Sequence, residues 1–448
     1  MSKPPTSKMP PGIPYIIGNE LAERFSYYGM KTILVIFMTK HLMDSSGNAA
    51  PMTESDAKYW YHIFNMTNYL FPILGAFVAD ILLGKFKTII SLSMVYCLGH
   101  LALGLLDTRF GLIVGLTLIA IGSGGIKPCV SAHVGDQFRP DKKHLINKIF
   151  SVFYLSINIG AAISSLLTPV LLNRFGPHVA FGVPGVLMLI ATIVFWIGKR
   201  KFVAIQPVGW NYYKTELFSL QGRKALLQLS IIYVFISIFW SLFDQTGSTW
   251  VLQAVKMNRM VNLGFIEFEL LPSQIQAINP LMIIILIPLF VYIVYPYVNK
   301  FYNLTALRKI TAGMFIASFS FVLCAIPESL ISAGGQPTIL WQFFAYLFLT
   351  IGEVLVSITA LEFAYTQAPN SMKSFVMGFY LLSISLGNLV TAIVNGFIQN
   401  PNGSNKLEGA AYYWFFVALM VATAITFVFI SKSYKEESYI QSGGKLVA

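Results

Sequence analysis

Apolar runs long enough to cross a membrane recur along the whole chain, and they restrict its fold more than any other feature. An α-helix needs about 20 residues to cross a hydrocarbon core of about 30 Å. Inside that core every backbone N–H and C=O needs a partner within the protein, so we interpret such runs as helices. We therefore predict an all-α membrane protein with twelve spans, at 13–39, 57–83, 88–107, 111–133, 148–172, 179–198, 225–254, 273–297, 305–328, 338–366, 373–398 and 408–431.

The placement of the basic residues explains the strong positive charge. The formal net charge of +12 would also suit a nucleic-acid-binding protein. However, 21 Lys and Arg lie at the termini or in the even-to-odd connections, whereas 7 lie in the other connections. Basic residues concentrate on the cytoplasmic side of membrane proteins. We therefore expect both termini in the cytoplasm, a multi-pass protein of the plasma membrane, more specifically a bacterial inner membrane, and no nucleic-acid partner.

The longest of these basic connections divides the spans six and six. Two six-helix bundles with a substrate site near the midplane are the plan of the major facilitator superfamily. The predicted organisation is an N-terminal bundle at 1–198, a cytoplasmic linker at 199–224, a C-terminal bundle at 225–432 and a cytoplasmic tail at 433–448.

Charged residues interrupt the first predicted span. Glu20, Glu23 and Arg24 are followed by Tyr27 and Tyr28. Each charge near the bilayer centre costs at least about 2.5–3.5 kcal/mol, so such residues usually face a partner or a water-filled cavity. Glu20 and Arg24 are four residues apart and share one helix face, which allows a purely structural ion pair. One arginine cannot neutralise two glutamates, and the surplus acid favours a functional site.

A second embedded cation, Lys127, lies in the glycine-rich stretch 122–128 of the fourth span. Pro128 removes a backbone hydrogen bond, and the neighbouring glycines favour a kink there. A lysine whose side chain reaches the membrane surface is the simpler alternative. About six more residues separate Lys127 from the cytoplasmic end, which favours a buried position.

Strings of residues in both halves resemble the proton-dependent oligopeptide transporter family. They are ExxERFxYYG at 20–29, GGIKPCVSA at 124–132, FYLSINIG at 153–160, FWSLFDQTGS at 239–248, GE at 352–353, LEFAYTQAP at 361–369, MKS at 372–374 and GN at 387–388. The resemblance covers nearly every functional helix, and it implies a major facilitator fold that imports di- and tripeptides with protons and without a cofactor. It also implies departures: the short connections at 199–224 and 328–338 leave a minimal twelve-helix member, and Phe379-Tyr380 replaces a Trp found in many relatives.

The embedded charges of the two halves support this interpretation independently. The first half combines the cations Arg24, Lys31 and Lys127 with the acids Glu20 and Glu23. The embedded charges of the second half are all acidic, namely Asp244, Glu353 and Glu362. A cavity between the halves would be bipolar, which suits a zwitterion such as a short peptide.

We expect Arg24 and Lys127 to bind the peptide carboxylate and Glu353 to bind the ammonium group, because charge-assisted hydrogen bonds are strong. Asn158 and Asn279 offer amides for a peptide bond. Amphipathic aromatic residues would line the cavity, namely Tyr27, Tyr28, Tyr69, Tyr154, Trp240 and Tyr365.

The expected coupling ion is the proton, since no cluster of oxygen ligands for sodium stands out. Carboxylates and histidine can both carry protons under physiological conditions. We expect His62 and Asp244 to meet in or near an outer gate whose closure depends on protonation. Protonation of Glu20 or Glu23 would release Arg24 to bind substrate.

Several alternatives remain open from the sequence alone. A relative that carries nitrate or another small anion would not need Glu353, and a transport-inactive peptide sensor would not need the titratable residues. A membrane enzyme is not expected, since the sequence has no nucleophile and base pair and no H-E-x-x-H pattern. The expected partners are peptides, with peptide-like drugs left open, and lipid; the functional unit is expected to be a monomer.

Overall fold

All twelve predicted spans are helical. A computed structural model describes residues 9–138, 146–203, 206–207, 209–262, 264, 267–367, 373–398 and 406–434. Within these residues, 10 helical segments are long and apolar enough to cross a membrane. One of them, Ile149–Lys201, contains two spans, and the charged first helix is a further span.

The observed helices extend most predicted spans by a few residues. Several are built from consecutive helical pieces, with 3-10 or π-helical turns between α-helices. In order they are Ile13–Lys40; Glu54–Phe77 with Val78–Leu83; Lys85–Leu105; Arg109–Asp136; 146–175 and 177–197 within Ile146–Ile197; Leu220–Phe243 with Asp244–Gly247 and Thr249–Val255; Pro272–Ala277, Ile278–Leu289, Phe290–Val294 and Tyr295–Val298; Ala306–Ser332; Leu340–Glu353 with Val354–Ile358 and Thr359–Gln367; Lys373–Ile398; and Ala410–Ser433.

Local sequence signals set several helix boundaries. Thr53, Thr108 and Thr305 each accept a hydrogen bond from a backbone N–H three residues on, which satisfies a donor that the first helical turn leaves free. Between the fifth and sixth spans, Gly176 has φ 78° and is followed by Pro177. Glycine adopts this left-handed conformation readily and proline favours a helix start, so the chain reverses there.

Two separate apolar cores correspond to the two predicted bundles. One core is built almost wholly from residues of the first six spans and the other from residues of the last six. The bundles meet where the second span packs against the eleventh and the fifth against the eighth.

The glycines of the fourth span allow close helix packing. The helix Arg109–Asp136 continues through Pro128. A Cβ on Gly75 of the second span would lie 2.3 Å from the carbonyl oxygen of Gly125. Since real Cβ atoms do not approach so closely, these two helices can touch only through glycine.

The connections add little regular structure. A hairpin of β1 (Met260–Asn262) and β2 (Glu267–Glu269) follows the seventh span, and an otherwise all-α prediction did not include it. The predicted linker contains the short helix Trp210–Leu217, and its described residues include no further span. The predicted tail from residue 435 on lies outside the described residues. We call the loops with the excess of Lys and Arg the basic side, and the opposite span ends the outer ends.

Candidate functional site

Both glutamates of the first span contact the same arginine. Arg24 Nε donates to Glu20 Oε1 at 2.6 Å and lies 3.2 Å from Glu23 Oε2. Ser123 Oγ donates to Glu23 Oε1 at 2.9 Å, which ties the first span to the fourth. The two carboxylates are buried, so one guanidinium serves two buried acids. The Nη groups of Arg24 make no hydrogen bond with the described residues, which leaves the fork of the guanidinium for a ligand.

Lys127 lies against the aromatic faces of two tyrosines. Its Nζ is 3.9 Å from the ring centre of Tyr27 and 4.5 Å from that of Tyr69. Asn68 Nδ2 donates to the Tyr27 hydroxyl at 2.9 Å and holds that ring in place. Within the described chain the ammonium has no hydrogen-bond partner and no ion pair. Two cation–π contacts position this charge but leave its three N–H donors free.

Glu353 is the corresponding acid of the other bundle. Asn279 Nδ2 donates to Glu353 Oε2 at 2.7 Å and to Thr350 Oγ1 at 3.2 Å. The helix changes to the π-helical turn Val354–Ile358 directly after Glu353, a feature frequent at functional sites. No ion pair neutralises this carboxylate in the part of the chain that the structure describes. It is therefore an acceptor without a cation, opposite in sign to Lys127.

A polar network joins the two bundles toward their outer ends. Lys31 Nζ donates to Asp244 Oδ1 at 2.9 Å, and Asn388 Nδ2 donates to Asp244 Oδ2 at 2.6 Å. His62 Nδ1 lies 2.8 Å from Asn388 Oδ1, and His62 Nε2 lies 3.0 Å from Ser248 Oγ. Lys31 and His62 belong to the N-terminal bundle and the other three to the C-terminal bundle. We call these five residues the interbundle network.

The partners in this network define where its protons lie. Asn388 Nδ2 donates to both Asp244 and the Ile384 carbonyl, so the amide oxygen faces His62. That oxygen can only accept, and His62 Nδ1 must therefore carry a hydrogen. When the ring is neutral, Nε2 accepts from the Ser248 hydroxyl, and when the ring is protonated, Nε2 donates to the same oxygen. Both oxygens of Asp244 already accept a hydrogen bond, and a proton on this carboxyl would remove the negative charge that attracts Lys31.

Other contacts also close the outer ends of the bundles. Lys256 Nζ lies 3.0 Å from Glu54 Oε1, and Lys58 Nζ lies 4.4 Å from the Tyr412 ring centre. Gln276 Nε2 donates to the Thr32 carbonyl at 3.0 Å. All of these cross from one bundle to the other, so the structure has its outer side closed.

Four predicted site residues either contact their own helix or a neighbouring ring, or are exposed. Asn158 donates to the Tyr154 carbonyl of its own helix, and the Tyr154 side chain is exposed. Trp240 packs edge-on against Phe243 in the C-terminal core. Tyr28 packs edge-on against the Tyr27 ring, which is itself fully buried. Tyr365 was also predicted to line the cavity, but its side chain lies outside the described residues.

Sequence reasoning missed some of the contacts that organise the site. It named Lys31 as an embedded cation but not as the partner of Asp244, although Lys31 lies seven residues after Arg24, two helical turns away. Asn388 was recognised only as part of the GN motif at 387–388. Ser123, Ser248 and Thr350 have no sequence signal, because serine and threonine are common in helices of this kind.

The described chain forms two bundles of six spans. Lys127 in one bundle and Glu353 in the other carry opposite charges without a partner among the described residues, and the interbundle network joins the bundles at one end. These features define a secondary transporter of the major facilitator fold. The chain belongs to the POT family, whose sequence model matches residues 86–220 and 212–415. This is a family of transporters, so the expectation of a transporter and not an enzyme is confirmed.

Known relatives agree with this assignment. Human solute carrier family 15 member 2 is 40% identical, over 82% of this chain and 56% of the human protein. The chain thus spans about half the length of the curated relatives it matches. A solved structure described as an auto inhibited POT family peptide transporter superposes with a TM-score of 0.87 at 33% identity, covering 97% of this chain and 99% of that one. The POT family transporter PepTSo superposes with a TM-score of 0.85 at 34% identity, covering 95% and 99%.

Proposed function

We propose that the protein is a proton-coupled symporter that imports di- and tripeptides by alternating access. One observation carries the proposal: among the described residues, Lys127 and the fork of Arg24 have no anionic partner for their free N–H groups, and Glu353 in the other bundle has no cation. A zwitterion between the bundles would satisfy both sets of groups. The solved structure described as a POT family peptide transporter supports the same class of substrate.

Substrate binding is assigned to the residues nearest these free groups. Lys127 and the Nη groups of Arg24 bind the peptide carboxylate, and Glu353, oriented by Asn279, accepts the ammonium. Tyr27 and Tyr69 hold Lys127, and Tyr28, Tyr154, Asn158 and Trp240 remain candidates for the peptide backbone and side chains. A transporter of nitrate or another small anion is the weaker alternative, because it has no use for Glu353.

Coupling to a proton follows from the shared arginine of the first span. With both Glu20 and Glu23 ionised, Arg24 Nε is held between them. Protonation of one glutamate removes part of that attraction and lets the guanidinium turn toward a substrate carboxylate. Binding of a proton and of a peptide would therefore favour each other, which is the thermodynamic condition for coupled transport.

A second proton step is assigned to the interbundle network. Protonation of Asp244 removes its negative charge and so weakens its bonds to both Lys31 and Asn388. Each of these bonds holds the outer side closed, directly or through His62. Protons arriving from outside would thus open the outer gate. This direction requires the basic side to be cytoplasmic, with both termini there and the protein in the plasma membrane.

The proposal is tested by uptake of labelled dialanine into liposomes that contain the purified protein. An inward proton gradient should drive accumulation above equilibrium, and a protonophore should abolish it. Glu23→Gln should lose the gradient-driven uptake and keep counterflow exchange, because exchange needs no net proton movement. Absence of both uptake and exchange in the unmodified protein would contradict peptide transport and favour a sensor or another substrate.

A further inference from the structure

The linker between the bundles carries a surface that the transport cycle does not use. Its beginning is fixed to the N-terminal bundle: the backbone N–H of Val203 donates to Gln137 Oε1 at 2.9 Å. The Phe202 ring packs 4.8 Å from the Phe195 ring and 5.0 Å from the His133 ring, centre to centre. The chain therefore leaves the end of the sixth span at a defined place, on the basic side.

Large apolar side chains of this linker are exposed. Trp210 is 55% exposed, Phe218 58% and Leu220 79%. Leu220 begins the seventh span, and residue 197 ends the sixth, so both ends of the linker lie at the membrane surface. Water is an unfavourable environment for such side chains, whereas the interface between lipid headgroups and acyl chains suits tryptophan and phenylalanine in particular.

The same segment is strongly basic. Six cations stand against the single acid Glu216, a net charge of +5 over 26 residues: Lys199, Arg200, Lys201, Lys214, Arg223 and Lys224. Basic clusters beside a membrane span attract anionic lipid headgroups, and exposed aromatic side chains add apolar burial to that attraction. A zwitterionic lipid would satisfy the apolar surface but not the charge.

We propose that the linker is an interfacial anchor that binds anionic phospholipids of the leaflet on the basic side. The proposal rests on the membrane placement of that side and not on the identity of the transported substrate. Because the linker is fixed to the N-terminal bundle at residues 202–203 and continues into the seventh span, lipid binding would act on the segment that couples the two bundles.

Native mass spectrometry of the full chain tests the headgroup preference. The protein is offered equal amounts of phosphatidylglycerol and phosphatidylcholine, and the bound lipids are counted. We expect phosphatidylglycerol to predominate, and the triple variant Lys199→Gln, Arg200→Gln, Lys214→Gln to lose that preference. Each cation beside an anionic surface contributes about a fivefold factor, so the loss of three should weaken binding by on the order of 100-fold at low salt.

A matched control removes three cations from the other side of the membrane, with Lys40→Gln, Arg109→Gln and Lys406→Gln. This variant has the same net charge and should keep the preference for phosphatidylglycerol. Equal loss in both triple variants, or no preference in the unmodified protein, would overturn the proposal.

Membrane depth provides a second readout. A nitroxide attached at Thr215→Cys, an exposed position of the short linker helix, should be reached by oxygen more than by a water-soluble nickel complex in phosphatidylglycerol bilayers. A nitroxide fully exposed to the aqueous reagent would also overturn the proposal. Neither readout depends on peptide transport, so a failure of the proposed function leaves this test intact.

Discussion

Replacement of Asn388 by alanine should open the outer gate while it leaves every titratable residue in place. The amide donates to Asp244 at 2.6 Å and accepts from His62 at 2.8 Å. A hydrogen bond to a charged group contributes about 1.5–3 kcal/mol, and a buried donor left without a partner costs about 1–3 kcal/mol. Of these two bonds only the one to His62 joins the bundles, so the outer-closed state should lose roughly 2 kcal/mol relative to the outer-open state, which shifts their ratio by on the order of 30-fold.

Distances between spin labels at the outer ends of the bundles measure this shift. Nitroxides at the exposed positions Ser45 and Lys406 report on the N- and C-terminal bundles respectively. In Asn388→Ala the distance distribution should move to longer values at neutral pH. The unmodified protein should show the same movement only on acidification, because the intact network opens when Asp244 is protonated.

Asn395 provides a matched control in the same span. Its amide donates to the Thr391 carbonyl and to the Tyr412 hydroxyl, both within the C-terminal bundle. Asn395→Ala removes a buried amide of the same kind but no bond between bundles, so its distances should match those of the unmodified protein. An unchanged distribution in Asn388→Ala, or an equal shift in Asn395→Ala, would refute the reasoning.

Three further outcomes are expected. Glu353→Gln should raise the KM for dialanine by at least tenfold, since loss of a charge-assisted contact weakens ammonium binding, and it should leave the midpoint of thermal unfolding within a few degrees. Gly75→Ala should lower that midpoint by several degrees because its Cβ would meet Gly125, whereas Gly18→Ala, with no atom within 4 Å of the added Cβ, should not. Hydrogen bonds from the backbone N–H groups of Asn48 and Ser46 lower the pKa of Asp44. The contribution of Asp44 to stability is therefore complete above the ordinary aspartate pKa and is lost as the pH falls through the lowered value. Asp44→Asn should reduce the acid-induced decrease in unfolding temperature, and an identical pH profile would contradict this.

The sequence was sufficient for the helices and for the residue types of the site. Length and hydropathy alone define a membrane span, because the bilayer leaves few alternatives for the backbone. Charges inside such spans are conspicuous for the same reason, and this is how Glu20, Glu23, Arg24 and Lys127 could be identified. Gly176 followed by Pro177 likewise predicts a chain reversal from local preferences.

Pairing between distant spans could not be predicted in the same way. His62 and Asp244 were expected to meet in or near an outer gate, but the sequence did not reveal that Asn388 links them or that Lys31 pairs with Asp244. These partners are hundreds of positions apart in some cases, and their contact depends on how the two bundles dock. Similarly, the sequence could not show that Trp240, a candidate to line the site, also packs into the C-terminal core. Aromatic residues are so frequent in this chain that composition cannot separate the two roles.

The contact of the second and fourth spans through glycine has a consequence for how substrate is carried. Helices whose backbones touch cannot slide or rotate past each other without a steric clash, so Tyr69 on one and Lys127 on the other keep a fixed relative position. Tyr27 is tied to the second span by Asn68 and moves with them. The half of the site that we propose binds the substrate carboxylate therefore behaves as a rigid cradle. As the two bundles change their relative orientation, this cradle can present a carboxylate first to one face of the membrane and then to the other with its own geometry unchanged. Any difference in substrate affinity between the two faces would then have to arise from Glu353 and the opposite bundle.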